Sequence, residues 1–454
     1  MKRVCLTALL MLGLSSLPAP SWSATLEDQD WPLSSRILDS FSAGNYARVI
    51  DDAPRALAAE PDNEELRMAY ANSLLWHGQA WQSSERFRRL LATSLEPQAR
   101  LGLANSLAWT GRVFESIQHY EKLLATPLDK PARLGLANAL RWSGRADLAL
   151  PHYRRLLSED PGNLDAMRGI VYCERVLRPS TVVGFENLHD SSPMRRAELQ
   201  VKHTFRDDSR TRIFSLIRSA DRDKSSTMSS TQDAATLEVE DLALPMAPRL
   251  SVGREYFPSE LTLWDLRLKL SEAPVYLYGG KENWGKTAFN IPALQAALTA
   301  DRLGLSATFL SAAGDLSGSI NTHHVSDGNR ISDADLKLTP SWRPFTPEIQ
   351  IYTGIAARRA TVRAAEYWSP LHYSVAYVGI KGEWETLDWN LSGFVSIGAR
   401  LAGEASDYWS TGMTAKRWLN HDWAIALRLV AQSSAGAGSY NSNGLSVQIE
   451  KLWR

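Results

Sequence analysis

One stretch of the chain matches a nucleotide-binding motif. The residues GKENWGKT, Gly280 to Thr287, fit the phosphate-loop pattern G-x-x-x-x-G-K-T and follow the strand-like run PVYLYG. In a phosphate loop, backbone amides at the start of a helix hold the phosphates, and a second strand ends in a magnesium-binding carboxylate. Pro292 interrupts the helix that would have to follow, and no second strand motif accompanies the stretch. We therefore interpret the segment as a turn between strands.

Other residues that could do chemistry do not form a recognisable set. His323 and His324 are adjacent, so on a strand they point to opposite faces and cannot share a metal ion. A glycosidase pair of carboxylates is defined by its separation in space, which a sequence does not give. No Ser, His and Asp combination is apparent. We expect no catalysis, no cofactor and no metal.

The first 24 residues have the features of a secretory signal. Two basic residues precede an apolar run, Val4 to Leu17, and small residues surround a cleavage point near Ala24. The run is short for a membrane-spanning helix, which needs about 20 residues. Cleavage removes Cys5 and leaves Cys173 alone, so folding depends on packing rather than on an intrachain disulfide. We expect Cys173 to be a packed helical residue.

A period of about 33 residues runs through the first third of the chain. Gly78, Gly111 and Gly144 are 33 residues apart, and Gly44 precedes Gly78 by 34. Aromatic residues keep the same step, two residues before three of these glycines and nine after them: Trp76, Trp109, Trp142, Phe87, Tyr120 and Tyr153. The pattern is typical of helix-turn-helix solenoid repeats, in which the glycine ends the first helix. We expect these aromatic residues to pack between helices, and a ligand-binding groove is the alternative role.

The pattern changes near residue 178, where polar and apolar residues begin to alternate. In AELQVKHTF, Leu199 and Val201 fall on one face while Glu198 and Lys202 fall on the other. Some 16 to 17 such segments follow, each about as long as a tilted membrane strand. Closure into a barrel would pair every strand edge, with lipid outside and water inside. If the apolar face meets lipid, the lumen is lined by residues such as Glu198, Lys202, Asp265, Arg267 and Lys269. A large secreted β-sandwich is the alternative.

Two further features favour the barrel. Aromatic residues stand near the ends of many segments, as in the belts at a membrane interface: Tyr256, Trp264, Tyr278, Trp342, Tyr352, Tyr377, Trp389, Trp409 and Trp423. The last segment alternates through Leu445, Val447 and Ile449 to Trp453, which resembles the C-terminal signal of bacterial outer-membrane barrels. Lys451 interrupts that apolar face, and Arg454 follows the aromatic residue that is normally last.

These motifs carry two resemblances. The repeats, with LLWHG, LAWTG and LRWSG, resemble the tetratricopeptide repeat family over about residues 30 to 177. A repeat solenoid that runs into an outer-membrane barrel resembles the exporters of bacterial exopolysaccharides such as cellulose and poly-N-acetylglucosamine. The short form is still more similar to the YaiO-type outer-membrane proteins. The implied fold is an α + β multidomain chain, with an N-terminal all-α solenoid followed by an antiparallel transmembrane β-barrel of about 16 strands.

The resemblance also implies an arrangement and a role. The chain would comprise a signal peptide (1–24), a periplasmic repeat domain (25–177) and an outer-membrane barrel (178–454). Its partners would be outer-membrane lipid, a polysaccharide cargo and a periplasmic protein bound in the repeat groove. The 50 basic and 50 acidic residues give no indication of nucleic acid. The implied function is a conduit for exopolysaccharide export across the outer membrane. The alternatives are a membrane-anchored repeat scaffold without transport and an envelope enzyme carried on a barrel.

Overall fold

A computed structural model describes residues 31–190, 194–223, 227–256, 260–270, 274–341, 348–404, 407–433 and 441–454. The predicted signal peptide and Trp342 lie outside the described residues. The chain divides into two compact units, with the boundary between Ala132 and Arg133 inside the seventh helix. The last two repeat helices therefore belong to the same unit as the barrel. The domain boundary predicted at residue 177 stays a prediction.

Nine helices fill the described chain before the first strand. They are α1 Leu33–Ser42, α2 Tyr46–Ala59, α3 Glu64–Trp76, α4 Ala80–Leu90, α5 Glu96–Trp109, α6 Val113–Glu121, α7 Asp129–Trp142, α8 Ala146–Glu159 and α9 Leu164–Leu177. Gly44, Gly78, Gly111 and Gly144 follow α1, α3, α5 and α7 with φ between 75° and 86°. This left-handed conformation favours glycine and stops a helix. The prediction that these glycines end the first helix of each repeat is confirmed.

The aromatic residues nine positions after the glycines, Phe87, Tyr120 and Tyr153, lie in the core of the helical repeats. Phe87 is fully buried, and its ring covers Gly102 so closely that a Cβ there would lie 2.7 Å from Phe87 Cε2. Tyr120 is also buried and donates a hydrogen bond to Asn105 Oδ1 at 2.7 Å. Tyr153 repeats this bond to Asn138 Oδ1 at 2.7 Å. The repeat period therefore corresponds to a repeated packing contact.

After α9 the chain forms sixteen antiparallel strands closed into one barrel. They are β1 Ser180–Asp190, β2 Met194–Asp207, β3 Arg210–Asp223, β4 Ser229–Asp241, β5 Arg249–Glu255, β6 Leu261–Lys269, β7 Val275–Asn283, β8 Thr299–Ser311, β9 Gly314–Val325, β10 Arg330–Pro340, β11 Ile349–Ala360, β12 Tyr373–Glu385, β13 Trp389–Gly403, β14 Tyr408–Trp418, β15 Trp423–Ser433 and β16 Asn441–Leu452. Each strand pairs with its sequence neighbours, and β1 pairs with β16. The predicted fold class, a helical region followed by a barrel of about 16 strands, is confirmed.

Strand register gives the barrel two ends and two faces. We call the end where β1 begins and β16 finishes the proximal end, and the opposite end the distal end. Alternate residues point outward, and many of these are large, apolar and exposed, for example Leu199, Leu303, Phe309, Ile320 and Ile397. The other residues face the interior. Among the described residues, no helix is long and apolar enough to cross a membrane.

The C-terminal strand accommodates Lys451, the residue that interrupts its apolar face, at the rim of the barrel. Lys451 lies near the proximal end, where its Nζ is 3.1 Å from Asp422 Oδ2. Trp453 donates through Nε1 to Thr181 Oγ1 at 2.8 Å. Because a turn carboxylate neutralises Lys451 at the rim, this lysine does not place an unpaired charge on the apolar face.

Candidate functional site: the barrel interior

The five charged residues predicted to face the lumen lie on the inner side of β2 and β6. Glu198 accepts a hydrogen bond from Ser219 Oγ at 2.8 Å, and Lys202 lines a cavity near the proximal end. Asp265 forms an ion pair with Arg302, and the Arg267 guanidinium lies 3.9 Å from the centre of the Tyr276 ring. Lys269, the last residue of β6, lies at the proximal rim. Their contribution to a passage stays a prediction.

The GKENWGKT segment does not form a simple turn. Its first half ends β7, and its second half begins an inward-folded loop with two short helices, α10 Trp284–Thr287 and α11 Ile291–Gln295. Lys286, the lysine of the phosphate-loop pattern, has its Nζ 2.9 Å from Glu255 Oε1. Asn283 holds the same carboxylate through a hydrogen bond of 2.5 Å. Lys286 therefore ties the loop to the barrel wall.

We call residues 284–298 the plug, because several of their side chains are buried against the inner wall. Trp284, Ala293 and Leu294 are almost completely buried. One side of the plug packs on an apolar patch from β8 to β11: Ala300, Val325, Ile331 and Ala360. The other side contacts β2 through Met194 and through Arg196, which lies over the Phe289 ring. The plug thus spans the distal interior between β2 and β11.

His323 illustrates why the adjacent histidines do not form a metal site. The side chain lies on the inner face, with Nδ1 2.7 Å from Glu282 Oε1 and Nε2 3.3 Å from Asp333 Oδ2. Arg358 pairs with the same Asp333 carboxylate. Both ring nitrogens are therefore engaged in the wall. Among the residues that the structure describes, no cluster of His, Cys, Asp and Glu has the geometry of a metal site.

Four aromatic side chains lie close to the inner wall of β11 to β14. Each ring covers a glycine on the neighbouring strand, where any Cβ would collide with the ring, and the four pairs are Tyr352 with Gly379, Tyr377 with Gly354, Phe394 with Gly412 and Tyr408 with Gly398. We call Tyr352, Tyr377, Phe394 and Tyr408 the aromatic track. The Tyr352 and Tyr377 ring centres are 6.2 Å apart. Glycine lets each ring lie close to the backbone, so the track presents ring surface to the interior without filling it.

The track lines a cavity of about 790 Å³. Hydroxyl groups and both signs of charge surround the rings, contributed by Ser392, Ser396, Ser410, Thr414, Asp335, Glu383, Lys337, Lys381 and Arg428. Tyr377 donates a hydrogen bond to Asp335 Oδ2 at 2.8 Å, which fixes that ring. Pockets of this size that combine aromatic surface with a few polar groups bind small organic ligands.

A second cavity, of about 380 Å³, lies where α9 meets the proximal end of the barrel. Arg206 of β2 donates to the Val176 carbonyl at 2.6 Å, and Arg175 lies over the Trp418 ring at 4.3 Å. Arg178 donates to Asp422 Oδ1 at 2.7 Å and to the Trp453 carbonyl at 3.0 Å. These contacts attach the end of α9 to the rim of the barrel. Lys202 lines this cavity.

Several aromatic predictions need correction. Tyr278, Tyr352 and Tyr377 face the interior and cannot belong to an outer aromatic belt: Tyr278 donates to Asn321 Oδ1, and the other two belong to the track. Tyr256, Trp264, Trp389, Trp409 and Trp423 are exposed. The repeat tryptophans are partly exposed, with Trp76 at 49%, Trp109 at 41% and Trp142 at 36%, although Trp76 also packs on Phe41 of α1 and Tyr46 of α2. Helix ends leave these rings at the surface, while the second aromatic set fills the core.

Cys173 is buried in α9, as predicted from its helical position. Burial raises the pKa of its thiol to about 11. Because the thiolate is the reactive form, a thiol with this pKa is inert at neutral pH.

The sequence carries a signal for the track that strand alternation alone does not reveal. Gly354 and Gly379 each stand two residues from an inward tyrosine on the same strand, and across the ladder each pairs with the tyrosine of the other strand. Alternation of Tyr and Gly on the polar face of consecutive strands is the pattern to seek.

No family model and no curated protein matches the chain. Solved structures match each part separately. A bacterial polysaccharide outer membrane secretin matches 61% of this chain and 99% of its own, with 10% identity and a TM-score of 0.49. Pseudomonas aeruginosa OccK11 (OpdR) matches 61% of this chain and 96% of its own, with 10% identity and a TM-score of 0.34. MamA MSR-1 C2 matches 31% of this chain and 82% of its own, with 18% identity and a TM-score of 0.29.

Proposed function

We propose that the protein is an outer-membrane barrel that conducts a saccharide chain, with its helical repeats in the periplasm. The observation that carries this proposal is the aromatic track. Sugar rings have apolar C–H faces and polar hydroxyl edges. Flat aromatic rings bordered by hydroxyl and charged side chains complement both, since an aromatic face offers apolar contact and polar neighbours satisfy hydrogen bonds. An exopolysaccharide is the cargo that this surface fits.

The outer face supports the membrane location. Exposed Leu, Ile, Val and Phe side chains cover the barrel, including Leu303, Phe309, Ile320, Val395 and Ile397. Soluble monomers rarely expose apolar patches of more than a few hundred Å². An apolar outer face combined with a polar interior is the arrangement of barrels that span an outer membrane.

Single-channel recording tests the proposal. The refolded mature protein is inserted in a planar bilayer and titrated with neutral oligosaccharides. We expect transient current blocks, and we expect Tyr352→Ala and Tyr408→Ala to shorten them. Tyr276→Ala is the matched control, because this tyrosine also faces the interior but lies against Arg267, outside the track. Channels that oligosaccharides never block, or blocks that Tyr276→Ala shortens equally, would contradict a saccharide-binding role for the track.

A second proposal concerns the helical repeats. Trp76 and Trp109 occupy equivalent repeat positions and are about half exposed, at 49% and 41%, with one side of Trp76 covered by Phe41. Exposed tryptophans at equivalent positions favour binding of a periplasmic protein partner, since tryptophan is enriched at interface hot spots. Cross-linking in cells at these two positions, compared with the exposed surface position Arg55, tests this role. Equal recovery of products from all three positions would contradict it.

A further inference from the structure

The outward arginines of β3 and β5 are mostly neutralised within the chain. Each of four has a carboxylate partner: Arg210 with Asp241, Arg212 with Asp207, Arg218 with Asp233 and Arg254 with Glu260. The Arg218 pair is bidentate, with distances of 2.6 and 2.7 Å. Pairing of this kind limits the cost of a charge beside an apolar surface.

Two outward arginines, Arg195 of β2 and Arg222 of β3, have no carboxylate partner among the described residues. They face each other directly in the ladder between β2 and β3, and both are exposed. Within the described part of the chain, neither side chain makes a hydrogen bond or an ion pair. Opposite side chains on antiparallel strands have Cβ atoms about 5 Å apart, and like charges in this position are destabilising. The nearby Asp221 carboxylate does not help, because it faces the interior and binds Arg196 at 2.7 Å.

The position of the two arginines indicates what could neutralise them. Arg195 is the second residue of β2 and Arg222 the last but one of β3, so both lie at the distal edge of the outer face. Towards the proximal end the same face becomes apolar, with Leu199, Val201 and Leu216 exposed. In a membrane barrel the apolar band contacts acyl chains, and the residues just beyond it lie among the lipid headgroups.

We propose that Arg195 and Arg222 together bind the phosphate group of a membrane lipid headgroup. Two guanidinium groups on opposing strands can each donate two hydrogen bonds to phosphate oxygens, and arginine geometry suits this bidentate contact. The bound anion removes the repulsion between the two side chains. The inference rests on the membrane location in the proposed function and is independent of saccharide transport.

Lipid binding to the full-length mature protein tests the inference. The protein is purified in detergent, and native mass spectrometry measures retention of diphosphorylated lipid A and of its dephosphorylated form. We expect the wild type to prefer the phosphorylated lipid, and Arg195→Gln/Arg222→Gln to bind it at least tenfold more weakly. Arg212→Gln, an outward arginine at the proximal end, should bind like the wild type. Heat-shifted gel mobility shows that each variant is folded.

A second variant separates lost binding from lost folding. Arg222→Asp places a carboxylate opposite Arg195, which satisfies the arginine within the barrel, so this variant should fold at least as well and still lose lipid A. Equal affinity of wild type and both variants for lipid A would overturn the proposal. So would equal affinity of the wild type for both lipid forms, or displacement of lipid A by millimolar inorganic phosphate, which would indicate a site for free anions. Oligosaccharide block of the same variants should be unchanged, so the two proposals can fail separately.

Discussion

Gly412→Ala tests the track without removing an aromatic ring. A Cβ added at Gly412 would lie 2.5 Å from Phe394 Cε1 and 3.1 Å from Cζ, and its three nearest neighbours all belong to this one ring. Carbon atoms pack at about 3.5 to 4.0 Å. The Phe394 ring must therefore move away from the wall by about 1 Å. The backbone can stay in place, because no main-chain atom is among those neighbours.

This displacement should weaken saccharide binding and narrow the passage. Aromatic stacking contributes about 0.5–1.5 kcal/mol beyond buried area, and a misplaced ring forfeits much of it. We therefore expect oligosaccharide block to weaken about three- to tenfold, because 1.4 kcal/mol corresponds to a factor of ten. Single-channel recording also gives the open-channel conductance, which should fall because the ring projects further into the cavity.

A matched glycine and a double variant complete the experiment. Gly184 also faces the interior, but a Cβ there would lie 3.2 Å from the flexible Gln448 side chain, so Gly184→Ala should have little effect. Phe394→Ala alone should weaken the block, and adding Gly412→Ala should change it little further, because the two positions act through one ring. Gly412→Ala with wild-type block and conductance would refute the reasoning that Phe394 forms part of a binding surface.

Three further predictions concern the plug and the helices. Leu294→Asp puts a charge into the apolar seat that Leu294 shares with Met194 and Ile291, so the plug should loosen and single-channel conductance rise; unchanged conductance would contradict this. Cys173 should resist maleimide at pH 8 in the folded mature protein and react after denaturation, since burial raises its pKa to about 11, and labelling measured by mass spectrometry checks this. Burial, and then the Arg100 charge, lower the pKa of His119 in the folded protein. As pH falls, the imidazole is therefore protonated in the unfolded chain at a higher pH than in the folded one. The melting temperature of the helices should therefore fall as pH drops below about 6.5, and His119→Gln should reduce that loss.

The sequence predicted what depends on local periodicity. Spacing of Gly78, Gly111 and Gly144 identified the helix ends, because only a left-handed residue can end these helices in the same way each time. Alternation of Glu198 and Leu199 separated two faces of β2, because the pleat fixes a period of two. Both signals lie within a few consecutive residues.

Long-range contacts were not predictable in this way. Lys286 matches the lysine of a phosphate loop in the sequence. Its actual partner, Glu255, lies on another strand and cannot be identified from the local pattern. His323 looks like a lone histidine in the sequence, because its partners Glu282 and Asp333 come from two other strands, β7 and β10. The plug helices have four and five residues, too few for a helical period to show. Tyr352 was assigned to an outer belt, because closeness to a strand end does not determine which face a residue occupies.

The plug and α9 lie at opposite ends of the barrel. At the distal end the plug packs against β2 and against β8 to β11, and Tyr367 of the loop between β11 and β12 joins the same apolar cluster. The track cavity extends along the wall from β10 to β15. At the proximal end α9 is held by Arg206 of β2 and lies against Trp418 of β14. Under the proposed function, a chain passing the barrel would move past α9 and then along the aromatic track. Because Arg178 fixes the end of α9 to the rim, a cargo would, under the same proposal, meet α9 before it reaches the track.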